Sequence, residues 1–336
     1  HMKVSVKNEY GQLKTAIVGR ATKANWPTGD IYFDRMMKLS TYDGKTPKGK
    51  VPEVVIEEAE YDLITLRNVL RDNGVEVFRP EIVDWSIMTS SYGHTATGMH
   101  TYSARDLLLS VDDMVIECPT PFISRQHEFQ AYDVIKQQAM RDGCRWIAAP
   151  RARMETAECV LGNNKINLTE RYPIFDAANV MKFDDKLLYL KSSTANQAGA
   201  EWLQKIVGTS FEVIVWEGVY AHAHIDSTII SLAKDTVLIN STRVTDEQLP
   251  NFMKDYRKIW VKDCAKGKFH KFPYASKWIG MNILSINPET VLVDPIQKDL
   301  IAQLQQEKFK VIKVPLRQAR TLGGGLHCVT NDLERE

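Results

Sequence analysis

The sequence lacks several features that would place the chain in a specialised class of protein. Its 336 residues carry 43 basic and 42 acidic side chains, so no basic excess points to nucleic acid or an anionic membrane as the main partner. No apolar run approaches the ~18 residues that span a bilayer. The five cysteines are odd in number and form no C-x-x-C pair, which argues against a disulfide framework or a thiolate zinc site and favours reduced thiols in the cytoplasm. What remains, 44% hydrophobic and 25% charged, is the composition of an ordinary enzyme.

Short apolar runs alternate with helical patterns five times along the chain. Runs typical of buried strands lie at residues 15–19, 114–118, 187–190, 236–240 and 290–294. The helical patterns that follow them lie at residues 56–70, 128–142, 197–207, 247–256 and 296–308. A second strand-like run follows each helix, at residues 75–78, 144–147, 212–215, 258–261 and 310–314. The repeated unit is therefore strand, helix, strand.

A further strand precedes four of these units through a tight polar turn. The turns lie at residues 111–113, 183–185, 233–235 and 287–289. The segment 328–333 is predicted to supply the missing fifth copy by pairing back beside the N-terminal strand. The pattern thus predicts one α/β catalytic domain over residues 1–336, with five modules closed around a central cavity. Two conventional α/β domains remain the alternative on pattern alone.

Equivalent positions in such a ring face the same axis, so the side chains at these positions are candidates for a shared site. At the start of each hairpin, and at the C-terminal strand, stand Asp106, Asp176, Asp226, Ser276 and Cys328. Ionisable groups that converge on a cavity of low dielectric perturb one another, as they do in active sites. The sequence therefore predicts a shared pocket for these five residues.

Two of the candidate residues admit more than one interpretation. Cys328 follows three glycines and is either a nucleophile, which needs a base and a lowered pKa, or a packed cysteine. His224 lies in an H-x-H-x-D pattern with His222 and Asp226, which strand alternation would place on one face. The pattern is consistent with half of a metal site. Alternatively, His224 alone is a general acid/base or a hydrogen-bonded core histidine. The other histidines form no second spaced pair, which argues against a metal.

Four ordered sequence words resemble the amidinotransferases, the family that includes arginine:glycine amidinotransferase, within the guanidine-modifying pentein superfamily. The words are FDAA at 175–178, HIDST at 224–228, SKW with MN at 276–278 and 281–282, and GGGLHC at 323–328. A looser likeness runs from Arg105 to Arg125. The resemblance covers most of the chain and implies a five-bladed β/α propeller, in agreement with the module count.

The resemblance also implies a role for each matching residue. It makes Cys328 the nucleophile, His224 the general acid/base and Asp176 the carboxylate that orients His224. The groups that match donor-binding residues are Asp106 and Asp226 for the guanidinium, and Arg243 and Ser276 for the amino-acid part. Asn179 and Ala275 depart from the family pattern, where a second acidic residue and another serine are usual.

The activity implied by the resemblance is transfer of the amidino group of L-arginine to an acceptor amine. The route passes through a covalent amidino-cysteine, releases L-ornithine and needs no cofactor and no metal. Because the small Ala221 and Ala223 precede the HID word, we expect an acceptor larger than glycine. Hydrolysis of the guanidine to citrulline and ammonia, and a guanidine-binding or assembly protein without catalysis, are the alternatives. The expected partners are small molecules, with no nucleic acid and no membrane, and a homodimer is left open.

Overall fold

The computed structural model describes residues 1–40, 46–151 and 153–336. Within these ranges the helices are α1 (Ile31–Leu39), α2 (Glu53–Asp72), α3 (Asp133–Arg141), α4 (Gln197–Val207), α5 (Lys298–Gln306) and α6 (Ala319–Leu322). None of the helices in the described part of the chain combines the length and apolar character that crossing a bilayer requires.

The strands fall into five three-stranded sheets and three small hairpins or ladders. The strands of the first half are β1 (Leu13–Val18), β2 (Asn25–Trp26), β3 (Gly49–Lys50), β4 (Glu76–Phe78), β5 (Thr89–Ser91), β6 (His94–Ala96), β7 (Leu108–Val111), β8 (Met114–Glu117), β9 (Arg145–Ala148), β10 (Cys159–Leu161) and β11 (Ile166–Leu168). Those of the second half are β12 (Val180–Phe183), β13 (Lys186–Leu190), β14 (Glu212–Trp216), β15 (Ile229–Ala233), β16 (Thr236–Asn240), β17 (Arg257–Val261), β18 (Leu284–Asn287), β19 (Thr290–Val293), β20 (Lys310–Lys313) and β21 (Thr330–Arg335).

The five three-stranded sheets share one topology. Their strand orders are β7-β8-β9, β12-β13-β14, β15-β16-β17, β18-β19-β20 and β21-β1-β4. In each sheet the middle strand pairs antiparallel with the first strand and parallel with the third. A parallel pair needs a crossover connection, which α2, α3, α4 and α5 provide in four of the five sheets.

The α/β class predicted from the sequence is confirmed by this arrangement. The last strand, β21, lies beside the first, with Val18 opposite Thr330 and Ile17 opposite Asn331. The five sheets are separate from one another, however, and the described residues contain no closed sheet. Strand pairing alone therefore does not establish a five-bladed propeller.

Helix α2 illustrates how the sequence pattern becomes packing. The stripe of Ile56, Ala59, Leu63, Leu66 and Leu70 is buried along its inner face. The helix ends where the pattern does, because the glycine that follows its C-cap has a φ of +80°, which favours glycine over residues with a Cβ. The prediction of a helix at this place is confirmed.

The helix expected at residues 247–256 is wrong. This segment forms only two short 3₁₀ turns, Asp246–Gln248 and Asn251–Met253, between β16 and β17. Leu249 is extended, with φ −66° and ψ 145°, because the residue before a proline is pushed out of the helical region by the ring of Pro250. The apolar spacing in this segment comes from two turns and not from one helix.

Candidate active site

Five of the predicted site residues, one from each module, come together because each precedes the first strand of its sheet. Asp106 lies just before β7, Asp226 before β15, Ser276 before β18 and Cys328 before β21. All four line one cavity of about 410 Å³, together with His224, Arg243 and Ala223. Asp176, just before β12, is fully buried behind the cavity wall and reaches the cavity through His224.

His224 is held between two carboxylates. Its Nε2 lies 2.7 Å from Asp176 Oδ2, and its Nδ1 lies 3.7 Å from Asp106 Oδ1. Burial alone would lower the pKa of the imidazole, but the charge of Asp106 and the hydrogen bond to Asp176 outweigh it and raise that pKa to about 9. The ring therefore carries a proton at neutral pH, as a general acid requires.

Asp106 offers an acceptor atom that the folded chain does not use. Its Oδ2 accepts a hydrogen bond of 2.9 Å from Arg125 Nη1, whereas its buried Oδ1 has no hydrogen-bond partner among the described residues. Burial raises the pKa of the Asp106 carboxyl, partly offset by the charges of His224 and Arg125. An unpaired buried carboxylate oxygen is costly unless a donor reaches it, so this atom suits a cationic N–H ligand.

Cys328 is fixed in place through both its backbone and its sulfur. Its N–H donates to Asn282 Oδ1 at 2.9 Å, and its Sγ lies 3.1 Å from Asn282 Nδ2 and 3.2 Å from Asp226 Oδ2. Burial and the charges of Asp226 and Asp106 raise the pKa of this thiol well above its ordinary value. These surroundings keep the sulfur a protonated thiol, and a cation bound beside the two carboxylates would favour the thiolate.

Two further residues, His327 and Glu9, hold the Asp226 carboxylate in place from the side of the protein interior. His327 Nδ1 lies 2.7 Å from Asp226 Oδ2, and His327 Nε2 lies 3.0 Å from Glu9 Oε1. Burial would raise the pKa of the Asp226 carboxyl, but its hydrogen bond to His327 lowers the pKa to about 2. Asp226 is therefore a fixed negative charge next to Cys328.

The roles of Asn282, His327 and Glu9 were missed at the level of sequence. Asn282 and His327 lie inside the words that carry the family resemblance, directly after Met281 and directly before Cys328, so their positions were a signal for finding them. Glu9 lies in the N-terminal segment far from every motif, and no local pattern connects it with the site.

Arg243 and Ser276 lie at the cavity wall and are already bonded. Arg243 Nη1 donates to Ser227 Oγ at 2.8 Å and to Thr228 Oγ1 at 2.9 Å, and its guanidinium lies 3.7 Å from the centre of the Tyr220 ring. Ser276 Oγ accepts from the N–H of Trp278 at 3.3 Å and begins the 3₁₀ turn Lys277–Met281. These contacts orient Arg243 while leaving other N–H groups of its guanidinium for a ligand.

Ala221 does not line the cavity that contains Cys328, in contrast to the prediction for an acceptor pocket. Its carbonyl accepts from the N–H and the hydroxyl of Ser193, which holds Ala221 at a different cavity of about 570 Å³. Ala223 does line the site, as expected. The segment from His222 to Asp226 is also not a strand. Residues 222–224 form a loop, and the 3₁₀ turn Ile225–Ser227 begins directly after it.

The remaining cysteines lie away from the cavity. Cys118, Cys159 and Cys264 are buried and Cys144 is half-buried, and burial raises the pKa of each thiol. None of the four lines the cavity around Cys328. Among the described residues, no three His, Cys, Asp or Glu side chains are spaced to hold a metal ion.

Comparison with known proteins identifies several amidinotransferases similar to the chain. No family model matches it. It is 37% identical over 337 residues to inosamine-phosphate amidinotransferase 1 of Streptomyces glaucescens, covering 99% of this chain and 97% of that protein. It is 30% identical over 293 residues to an L-arginine:L-lysine amidinotransferase of Pseudomonas savastanoi pv. phaseolicola, covering 84% and 80% of the two chains. A mitochondrial glycine amidinotransferase of Danio rerio is 28% identical, with 99% and 83% covered.

Solved structures give the same picture. An inosamine-phosphate amidinotransferase from Streptomyces griseus superposes with a TM-score of 0.96 at 37% identity, covering 100% of this chain and 97% of that one. A DDAH from Pseudomonas aeruginosa superposes with a TM-score of 0.60 at 14% identity, covering 96% and 99%, a likeness of fold alone.

Proposed function

The chain belongs to the amidinotransferase family, within the pentein superfamily, and we propose that it transfers the amidino group of L-arginine to an acceptor amine through Cys328. The observation that carries this proposal is the position of the Cys328 sulfur, 3.2 Å from Asp226 in the cavity that also contains His224 and Asp106. The proposed nucleophile, the proposed proton donor and the two carboxylates proposed to bind the guanidinium thus surround one space of about 410 Å³.

The donor guanidinium would be held by Asp106 and Asp226. Their carboxylates would accept paired charge-assisted hydrogen bonds and fix the plane of the guanidinium. Arg243 would bind the carboxylate of the donor amino acid, with Ser276 as a polar neighbour. Bound in this way, the cation lowers the pKa of the Cys328 thiol, whose proton is then released to solvent.

The first half-reaction forms an amidino-thioether. The Cys328 thiolate attacks the central guanidinium carbon, and the bond from that carbon to the nitrogen of the arginine side chain breaks. His224, oriented by Asp176 and protonated at neutral pH, donates its proton to the departing nitrogen, which leaves as the amine of ornithine. His224 ends this step neutral.

The second half-reaction runs the same chemistry in reverse with a different amine. The acceptor amine gives a proton to His224, attacks the amidino carbon and expels the Cys328 thiolate. Since both amines use one pocket in turn, the kinetics should be ping-pong, with no metal or cofactor in the scheme.

The acceptor is proposed to be larger than glycine. Ala223 at the cavity wall leaves room, and two of the similar proteins are named for larger acceptors, inosamine-phosphate and lysine, although a glycine amidinotransferase is also similar. Competition between glycine, lysine and an aminocyclitol phosphate for amidino transfer tests this point. Glycine preferred over both larger amines would contradict the pocket argument.

Product analysis separates transfer from hydrolysis. Arginine is incubated with the enzyme with and without an acceptor amine, and ornithine and citrulline are measured. We expect ornithine in an amount that depends on the amine, while citrulline formed without ornithine would establish the hydrolase instead. Cys328→Ser should abolish product, and Cys264→Ser, which changes a buried thiol outside the cavity, should not.

The five sheets are proposed to be the blades of a propeller around this site. Supporting contacts join the first strands of successive sheets, β12 with β15 and β15 with β18, and also β21 with β7. Residues 1–336 would then form one catalytic domain. A cytoplasmic location, suggested by the five unpaired cysteines, and a homodimer complete the proposal, and light scattering on the purified chain tests the latter.

A further inference from the structure

A second and larger cavity, of about 760 Å³, shares part of its wall with the catalytic cavity. The 3₁₀ turn Lys277–Met281, which follows Ser276, contributes residues to both, and Ile279 lines both. Asn282, which accepts a hydrogen bond from the Cys328 N–H, and Gly325, three residues before Cys328, also line the larger cavity. The proposed transfer reaction does not use this space.

The charge of the larger cavity is predominantly positive. Its lining includes five lysine and arginine side chains against two carboxylates. Arg317 is neutralised by Asp62 at 2.8 Å, and Lys277 by Asp263 at 2.6 Å. One of the two lining carboxylates, Asp294, already accepts a backbone N–H on each oxygen.

Three lining cations have no carboxylate partner within the described ranges: Lys266, Lys268 and Arg320. Arg320 is the informative one, because it is only 6% exposed. Its Nε donates to the carbonyl of Ala275 at 3.0 Å and its Nη1 to the carbonyl of Gly267 at 3.1 Å. Its Nη2 makes no hydrogen bond to the described residues and remains accessible from the cavity.

A buried guanidinium whose Nη2 makes no hydrogen bond to the described residues can still donate to an anion. Its planar fork matches phosphate oxygens, and nearby lysines add positive charge without demanding a fixed geometry. Burying an arginine without a counterion is costly, which an anion in the cavity would relieve. We propose that this cavity binds the phosphate group of a small metabolite, or inorganic phosphate, at Arg320 with Lys266 and Lys268.

Anion binding at Arg320 would also affect the catalytic cavity, because Arg320 is hydrogen-bonded to a residue of its wall. Arg320 is tied to Ala275 in both directions, since the N–H of Ala275 donates to the Arg320 carbonyl at 3.0 Å and the Arg320 Nε donates back. Ala275 and the adjacent Ser276 line the catalytic cavity. An anion that fixes Arg320 therefore also fixes the segment expected to contact the donor amino acid.

The test is calorimetric titration of the full chain with inorganic phosphate, with chloride at equal ionic strength as the reference. We expect saturable binding of one phosphate that saturating arginine does not displace and that is unchanged in Cys328→Ser. A phosphate monoester, such as glycerol phosphate, titrated in parallel distinguishes a free anion from a phosphorylated metabolite by its relative affinity. Because binding is the readout, failure of the proposed transferase activity would not affect the result.

Matched variants locate the site. The double variant Lys266→Gln with Lys268→Gln should weaken phosphate binding about tenfold, while Lys254→Gln with Lys310→Gln, the same charge change at exposed positions outside the cavity, should leave it unchanged. Arg320→Gln should abolish binding, with circular dichroism as the check on folding. Heats equal to those of chloride, competition by arginine, or equal affinity in the two lysine variants would each overturn the proposal.

Discussion

One oxygen atom of Asp226 connects the thiol with the buried interior. Its Oδ2 faces Cys328 Sγ at 3.2 Å and His327 Nδ1 at 2.7 Å, and the other ring nitrogen of His327 faces Glu9. His327 thus links the carboxylate beside Cys328 with Glu9 in the interior.

Asn282→Leu should make Cys328 less reactive. The change removes the donor that lies 3.1 Å from Sγ, and a hydrogen bond to a charged group contributes about 1.5–3 kcal/mol, so thiolate formation should become roughly tenfold or more harder. The measurement is the pH dependence of Cys328 alkylation by iodoacetamide, read by peptide mass mapping. Cys144, which is half-buried and does not line the cavity around Cys328, is the internal control in the same sample. Equal Cys328 rates in both proteins would contradict the assigned contact.

At the scale of elements, the glycines before Cys328 permit a close approach of the chain to Asn282. A Cβ on Gly325 would lie 2.7 Å from the Asn282 Cβ, and a Cβ on Gly324 would lie 2.5 Å from Ser103 Oγ. Gly323 has a φ of +88° at the end of α6. The loop therefore positions the thiol by backbone packing as much as by hydrogen bonds.

Gly325→Ala should lower kcat at least tenfold, because the added methyl group displaces Asn282 and with it the sulfur. Steady-state assays with arginine and an acceptor amine measure the effect. Gly74→Asn is the control, since a Cβ added at position 74 would meet no atom within 4 Å and asparagine tolerates a positive φ. A Gly325→Ala enzyme with normal turnover would show that the close contact is unimportant for positioning.

The helices and strands differ in how well the sequence alone predicts them. Local periodicity predicted helix α2, because its pattern is set by burial of one face, and completion of the fivefold repeat predicted the strand that follows Cys328. It failed at residues 247–256, where the steric effect of Pro250 overrides the apolar spacing. The link from Glu9 to His327 spans most of the chain, and no local pattern encodes such a contact.

At the scale of the whole molecule, the buried charges predict how stability depends on pH. Burial would raise the pKa values of Glu9 and Asp226, but Lys182 and His327 outweigh it at Glu9, and His327 at Asp226, so both pKa values fall to about 2. A lowered carboxyl pKa contributes stability above about pH 4.5 that is lost as the pH falls through 2. His224, with its pKa raised to about 9, contributes stability below about pH 6.5 that is lost as the pH rises through 9.

The contribution of His224 to the free energy of unfolding should therefore be complete below about pH 6.5 and should be lost, by on the order of 3 kcal/mol, by pH 9. Urea denaturation at several pH values measures it. In His224→Gln the alkaline decline should largely disappear, while Glu9→Gln should keep it and reduce the acid decline. An alkaline limb of the same slope in His224→Gln would show that another group causes it.

The central claim, that Cys328 carries the amidino group between two amines, is tested most directly by intact-mass spectrometry after brief exposure to arginine. The account predicts an increase equal to one amidino group, its loss when an acceptor amine is added, and its absence in Cys328→Ser. An unmodified protein that still releases ornithine, or an adduct that persists in Cys328→Ser, would contradict it.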